Sequence, residues 1–121
     1  MDDTSERKHI SCLIKSVLTG DVAVRDAINS FPAGTTDESI KAVYHALVHY
    51  EADEELRARD DLYKEEQNDY LMMLSETLAK GEDLPVNIIS SYKEYYKTAN
   101  IKNEDNFKGK LKSFFRNLNI N

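Results

Sequence analysis

The fold is decided by residues 36–80, which read TDESIKAVYHALVHYEADEELRARDDLYKEEQNDYLMMLSETLAK. This run contains no glycine or proline, the two residues that most often interrupt a helix. Its apolar residues recur at helical spacing, but they form two stripes on nearly opposite sides. The first stripe contains Ile40, Val43, Tyr44, Leu47 and Val48, and the second contains Leu56, Tyr63, Tyr70, Leu74 and Leu78.

A straight helix cannot bury both stripes against one neighbour, so the helix must either break or change partners. We predict a kink or break near residues 51–55, where Asp53 is placed to start a new helix. The alternative is a single helix of about 66 Å that packs on different neighbours at its two ends. Such a length exceeds that of a typical globular helix.

The chain before this run also has the pattern of helices. Apolar residues at i, i+3, i+4 and i+7 predict a first helix from Ser5 to Leu18, which ends before Gly20. A short second helix follows, with Asp21 as its predicted cap, and Thr36 is the predicted cap of the long run.

The chain after this run continues in the same way. Gly81 is the predicted stop of the long run, and Leu84-Pro85 opens the next helix. A last helix is predicted around residues 107–118. Because strand-like alternation is absent, we predict an all-α fold, with residues 1–121 forming one domain. Its architecture is a bundle of five or six helices with short loops.

Composition restricts the classes of partner. The chain has 121 residues, a net charge of −6 and one cysteine, Cys12. An acidic protein is repelled by phosphates and anionic lipids, so we expect neither a nucleic-acid nor a membrane partner. Residues 93–121 carry a net charge of +4, but their aromatic residues have the spacing of a helix core. One cysteine, no apolar run of about 20 residues and an acidic start indicate a cytoplasmic protein.

An acid cluster lies where the stripe changes face. Residues 51–69 hold nine Asp or Glu and three Lys or Arg, a net charge of −6. The cluster is either a solvated helix face with i, i+4 ion pairs or a docking surface for a protein with a basic surface. The predicted partner-binding residues are Tyr50, Glu51, Asp53, Glu54, Arg57, Asp60 and Asp61.

Two histidines lead into the acid cluster. His45, His49 and Asp53 have the spacing i, i+4 and i+8, and such a set on one helix edge can bind a divalent metal. The alternative is that both histidines lie exposed or half-buried on the polar face, because their positions are nearly opposite the Ile40 stripe. We expect no other cofactor.

No catalytic motif is visible, so we do not expect an enzyme. Phosphate-binding glycine loops, nucleophile elbows, CxxC pairs and EF-hand loops are absent from the sequence. We expect a small protein that acts by protein–protein binding, comparable in physical character with immunity or antitoxin proteins that inhibit a basic partner. The alternatives are a helical metal-binding protein that uses His45, His49 and a carboxylate, and a homo-oligomeric structural or adaptor protein.

Overall fold

The predicted all-α bundle is confirmed. A computed structural model describes the backbone of residues 3–98 and the side chains of residues 4–95. Within that range the chain forms six helices and no strand. They are α1 (Asp3–Leu18), α2 (Val24–Asn29), α3 (Glu38–Ala52), α4 (Glu54–Arg59), α5 (Asp61–Ala79) and α6 (Val86–Thr98). The predicted helix at 107–118 lies outside the described residues.

The long run is broken, as predicted, and it is broken twice. The first break lies at Asp53, between α3 and α4, within the predicted interval of 51–55. The second break, at Asp60, was not predicted. Asp60 has an extended backbone, and its carboxylate accepts a hydrogen bond of 3.0 Å from the N–H of Tyr63. This is an N-cap, so Asp60 starts the helix that carries the second stripe.

Two of the predicted caps are wrong by a short distance. Asp37, and not Thr36, caps α3, since its carboxylate accepts from the N–H groups of Ser39 and Ile40. A carboxylate at this position also faces the positive end of the helix dipole. Asp21 does not cap α2, because its side chain instead accepts a hydrogen bond of 2.9 Å from the hydroxyl of Thr19.

The predicted stop at Gly81 is confirmed. Gly81 has a φ of 74°, which favours glycine. Its N–H donates to the carbonyl of Leu78, and the N–H of Glu82 donates to that of Thr77. This pattern is a Schellman motif. A Cβ at Gly81 would also lie 3.2 Å from Thr4 Cγ2, so α5 ends close against the start of α1.

The core lies between α1, α3 and α5. Fully buried aliphatic residues from these helices fill it, namely Ile10, Ile14, Ile40, Val43, Leu47, Leu71, Leu74 and Leu78. Helix α3 is central, since it contacts α2, α4, α5 and α6. It is therefore buried on both sides, and Ala42 and Ala46 are buried together with the Ile40 stripe. Tyr44, expected in that stripe, is 40% exposed.

An arginine clasp holds the ends of three helices together. Arg7 on α1 makes two hydrogen bonds to the Asp37 carboxylate, of 2.8 and 3.1 Å. It also donates to Asp83, at 2.7 Å, and to the carbonyl of Gly81, at 3.1 Å. Burial acts to raise the pKa of Asp37, but hydrogen bonds from Arg7 and from backbone N–H groups lower it overall. The clasp fixes α1 to the start of α3 and to the α5–α6 loop.

Across the part of the chain that the structure describes, each helix is too short or too polar to span a membrane.

Candidate functional site

The break between α3 and α4 contains a buried carboxylate. The side chain of Asp53 is fully buried, although it lies in the most acidic part of the sequence. Its Oδ2 accepts a hydrogen bond of 2.6 Å from the hydroxyl of Tyr63 and a longer one of 3.4 Å from Nε2 of Gln67. Burial and the hydrogen bond to Asp53 both raise the pKa of Tyr63. Both donors come from α5, so Asp53 ties the break to that helix.

Arg57 completes this buried network from α4. Its guanidinium lies over the ring of Tyr50, with Cζ 3.5 Å from the ring centroid, in a cation–π contact. Nη1 donates to the carbonyl of Tyr50 and, at 2.9 Å, to Oε1 of Gln67. The amide of Gln67 therefore bridges Arg57 and Asp53. Tyr50 in turn donates to Asn68 at 2.9 Å, so α3, α4 and α5 are joined at one point. We call Tyr50, Asp53, Arg57, Tyr63, Gln67 and Asn68 the junction network.

The predicted partner-binding set must be corrected at two positions. Asp53 is 0% exposed and Arg57 is 9% exposed, so neither belongs to an external docking surface. The physical reason is that each break redirects the chain and turns α4 towards α5. A buried charge needs an opposite charge and hydrogen bonds, and the junction network supplies both. Tyr50 is half-buried and belongs to the same network.

The other predicted residues remain at the surface. Glu54 and Asp61 are exposed, while Glu51 and Asp60 are half-buried. Glu51 forms an ion pair of 2.5 Å with Arg25 of α2. Asp60 is occupied as the cap of α5. Of the seven predicted residues, only Glu54 and Asp61 are therefore exposed acids on the outside of the protein.

Further exposed acids lie beside these two. Within residues 51–69, the exposed acids are Glu54, Glu55, Asp61, Glu65 and Asp69, and the exposed bases are Arg59 and Lys64. We call the five exposed acids the acidic surface. Glu65 and Asp69 were not in the predicted set, because the set was centred on the break and not on the outer face of α5. Their helical spacing from Asp61 was the signal in the sequence.

Sequence reasoning also missed three exposed apolar side chains on α5. Leu62 is 60% exposed, Met72 is 36% exposed and Met73 is 37% exposed. Each lies off the buried stripe of Tyr63, Tyr70 and Leu74. The sequence shows that these three residues do not belong to the stripe. However, an isolated apolar residue at the surface is common and does not by itself indicate a binding site.

The two histidines are not on a polar face, contrary to expectation. His45 is 5% exposed and His49 is 0% exposed, and their rings lie 4.0 Å apart between centroids. The ring centroids of Tyr92 and Tyr95 on α6 lie 5.3 and 5.1 Å from that of His45, since α6 covers this side of α3. Burial lowers the pKa of His45 to about 4. Burial, together with His45, lowers that of His49 to about 2.

The predicted metal ligands do not come together as a set. In the described part of the chain, no group of three or more His, Cys, Asp or Glu has the arrangement needed to hold a metal ion. The Asp53 carboxylate is directed to Tyr63 and Gln67. His45 and His49 pack as an edge-to-face ring pair among tyrosines. Both histidines therefore act as aromatic side chains of the core.

Two open grooves lie away from the acidic surface. They have volumes of about 720 and 680 Å³ and share the loop of residues 32–36 as a common wall. Arg7 and Asp83 line the larger groove, and Phe31 and Tyr44 line the smaller. None of the predicted site residues lines either groove, so the grooves do not add to the predicted site.

Searches of protein-family models, of curated proteins and of solved structures found no match to this chain.

Proposed function

We propose that this protein acts by binding another protein through the acidic surface, in the manner of a small immunity or antitoxin protein that occupies a basic partner. The main support for the proposal is that the charges around the break divide into a buried, compensated group and an exposed, mostly acidic group. The buried charges, Asp53 and Arg57, are compensated within the junction network. The exposed charge that remains is mostly negative, since the five acids of the acidic surface outnumber the two exposed bases, Arg59 and Lys64.

The junction network also supports the proposal because it holds these acids in a fixed arrangement. Glu54 and Glu55 lie on α4, while Asp61, Glu65 and Asp69 lie on α5. Arg57 and Gln67 connect the two helices through a buried hydrogen bond of 2.9 Å. A preorganised surface loses less conformational freedom on binding. Concentrated charge of one sign also accelerates association with an oppositely charged surface.

The proposal assigns no reaction to the protein. Occupying a partner requires a complementary surface and no catalytic group, so we propose a non-enzymatic role. We place it in a reducing cytoplasm, because the single cysteine, Cys12, is exposed and has no second cysteine with which to form an internal disulfide.

Affinity capture at two salt concentrations tests the proposal. The tagged protein is incubated with native lysate, and retained proteins are compared at about 0.05 M and 0.5 M salt, where screening differs strongly. We expect a basic protein to be retained at low salt and lost at high salt. The variant Glu54→Lys/Glu55→Lys is expected to lose it at both concentrations.

A matched variant controls for net charge. Asp26→Lys/Glu82→Lys makes the same change in charge at two exposed acids on α2 and on the α5–α6 loop. It is expected to retain the partner. Equal loss in both variants, or retention of the partner by wild type regardless of salt, would contradict binding through the acidic surface.

A further inference from the structure

The outer face of α5 combines exposed apolar side chains with exposed acids. Leu62 is 60% exposed, and Met72 and Met73 are 36% and 37% exposed. We call these three residues the apolar strip. Glu65, Asp69 and Glu76 are exposed on the same helix. Burial of α5 is confined to its other side, where Tyr63, Gln67, Tyr70, Leu71, Leu74, Ser75 and Leu78 face the core.

The spacing of these residues places them on one face. Relative to Leu62, the next members stand at i+3, i+7, i+10, i+11 and i+14, which is the repeat of one helix face. Leu62 and Met73 are about 16 Å apart along the axis, three helical turns. The acid Asp69 stands between the two apolar positions, and Glu76 follows them.

Apolar side chains that share one helix face with charges of one sign can together form a binding surface. Large aliphatic and methionine side chains provide contact area, and methionine adapts to different partner shapes. Surrounding charges select the sign of the partner. A second copy of this face would bring carboxylates against carboxylates, so the strip favours a cationic occupant over self-association.

We propose that the apolar strip seats a cationic amphipathic helix of the partner, lying along α5. This inference rests on the proposed function, since it specifies which element of the basic partner meets the acidic surface. The helix carries apolar residues at i, i+4, i+7 and i+11, which contact Leu62, Met72 and Met73. Its flanking Lys or Arg residues face Glu65, Asp69 and Glu76. Recognition of a helix through such regularly spaced anchors is a common binding mode.

Two synthetic peptides test the helix directly. The first has about 18 residues, with Leu at i, i+4, i+7 and i+11, Lys or Arg at the positions that flank them, and Ala elsewhere to favour a helix. The second has the same composition in an order that spreads Leu around the helix. Binding of each labelled peptide to the full chain is measured by fluorescence anisotropy. We expect the amphipathic peptide to bind about tenfold more tightly than the shuffled one.

The protein variants separate apolar contacts from charge. Leu62→Ser/Met73→Ser removes two anchors and leaves every charge in place, and circular dichroism checks that the variant is folded before its binding is measured. We expect this variant to bind the two peptides equally. Val86→Ser is the matched control, because Val86 is an exposed apolar residue on α6, 81% exposed, and it should keep the tenfold preference.

The other outcomes overturn the inference in distinguishable ways. If wild type binds both peptides equally and salt weakens both, the strip is wrong while the acidic surface stands. If neither peptide binds but the captured partner is lost at high salt, the apolar strip does not bind a helix, while the proposal for the acidic surface still holds. If neither peptide binds and capture ignores salt, the proposed function fails together with the strip.

Discussion

Asp53 and Glu54 are neighbours in the sequence and have opposite environments. Asp53 is fully buried and accepts hydrogen bonds from Tyr63 and Gln67, whereas Glu54 is exposed to solvent. The two carboxylates have the same chemistry, so only their position relative to the break separates them. One stabilises the fold and the other is available to a partner. An acid cluster in a sequence is therefore not a single feature, because its members can serve the interior and the surface separately.

The largest effect should come from Arg57 in the junction network. Arg57→Ala removes the cation–π contact with Tyr50, the hydrogen bond to Gln67 and the electrostatic attraction between Arg57 and the buried Asp53. We expect the free energy of unfolding to fall by about 3 kcal/mol, because a desolvated cation–π contact is lost and the buried oxygens of Tyr50 and Gln67 lose their donor. Urea denaturation followed by circular dichroism measures it.

Arg59 is the matched control for this substitution, since it lies on the same short helix and is exposed. Arg59→Ala should change the free energy of unfolding by less than about 0.5 kcal/mol. Similar losses for the two arginines would show that the junction network does not carry the stability assigned to it.

The buried histidines should make stability depend on pH. Burial lowers the pKa of His45 to about 4 and that of His49 to about 2, below the ordinary value of 6.5. Below pH 6.5 the unfolded chain binds protons that the folded chain cannot, so stability present above pH 6.5 is lost as the pH falls. Between pH 6.5 and pH 5 we expect a loss of about 1.6 kcal/mol per histidine.

Denaturation of His45→Gln and His49→Gln across this pH range tests the assignment, since each variant should have a shallower slope than wild type. His9→Gln is the control, because His9 is exposed on α1, and its slope should match that of wild type. An unchanged slope in both buried variants would assign the pH dependence to other groups.

A smaller effect is expected from the hydrogen bond between Tyr63 and Asp53. Tyr63→Phe keeps the ring in the core and removes the hydroxyl that lies 2.6 Å from the carboxylate. Hydrogen bonds to charged groups contribute about 1.5–3 kcal/mol, and we expect a loss in this range by urea denaturation. Tyr44→Phe, at a ring that is 40% exposed, should cost less than half as much. Equal costs for the two variants would show that the hydrogen bond between Tyr63 and Asp53 does not stabilise the fold more than an exposed hydroxyl does.

The smallest effect on stability is expected at the acidic surface. Glu54→Gln/Glu55→Gln should leave the free energy of unfolding within about 0.5 kcal/mol of wild type, because both side chains are exposed. The same variant should slow association with the captured partner, with little change in dissociation. Surface plasmon resonance at low salt measures both rates. A large loss of stability would mean that these exposed acids stabilise the fold, as Asp53 does, and would contradict the difference between them.

Much of the helical architecture was predictable because it depends on local chemistry. Gly81 and the break near Asp53 follow from backbone preferences and from the change in apolar stripe, and both predictions are confirmed. The caps were misplaced by one or two residues. At the start of α3 the chain uses Asp37, the stronger capping residue, and not its neighbour Thr36. The break at Asp60 was missed because one break is enough to explain the change of apolar stripe, although Asp60 is a capping residue like Asp53.

The site was less predictable because burial is a non-local property. The sequence showed that residues 51–69 carry excess acid and that His45 and His49 lie opposite the Ile40 stripe. From that pattern the histidines were expected at the surface. They are buried because α6, some 40 residues later in the chain, covers them. A helical period identifies one apolar face, but it cannot show that a central helix is covered on two sides.

Helix positions, net charge and the place of the first break follow from the order of residues alone, because caps, glycine stops and apolar spacing act within a few residues of each other. Which acids turn inward depends on how α4 and α5 pack, since Asp53 finds Tyr63 and Gln67 only after the chain has folded back. Burial makes the difference between these carboxylates: a charge removed from water must find partners inside the protein, and a charge left in water remains available to another molecule.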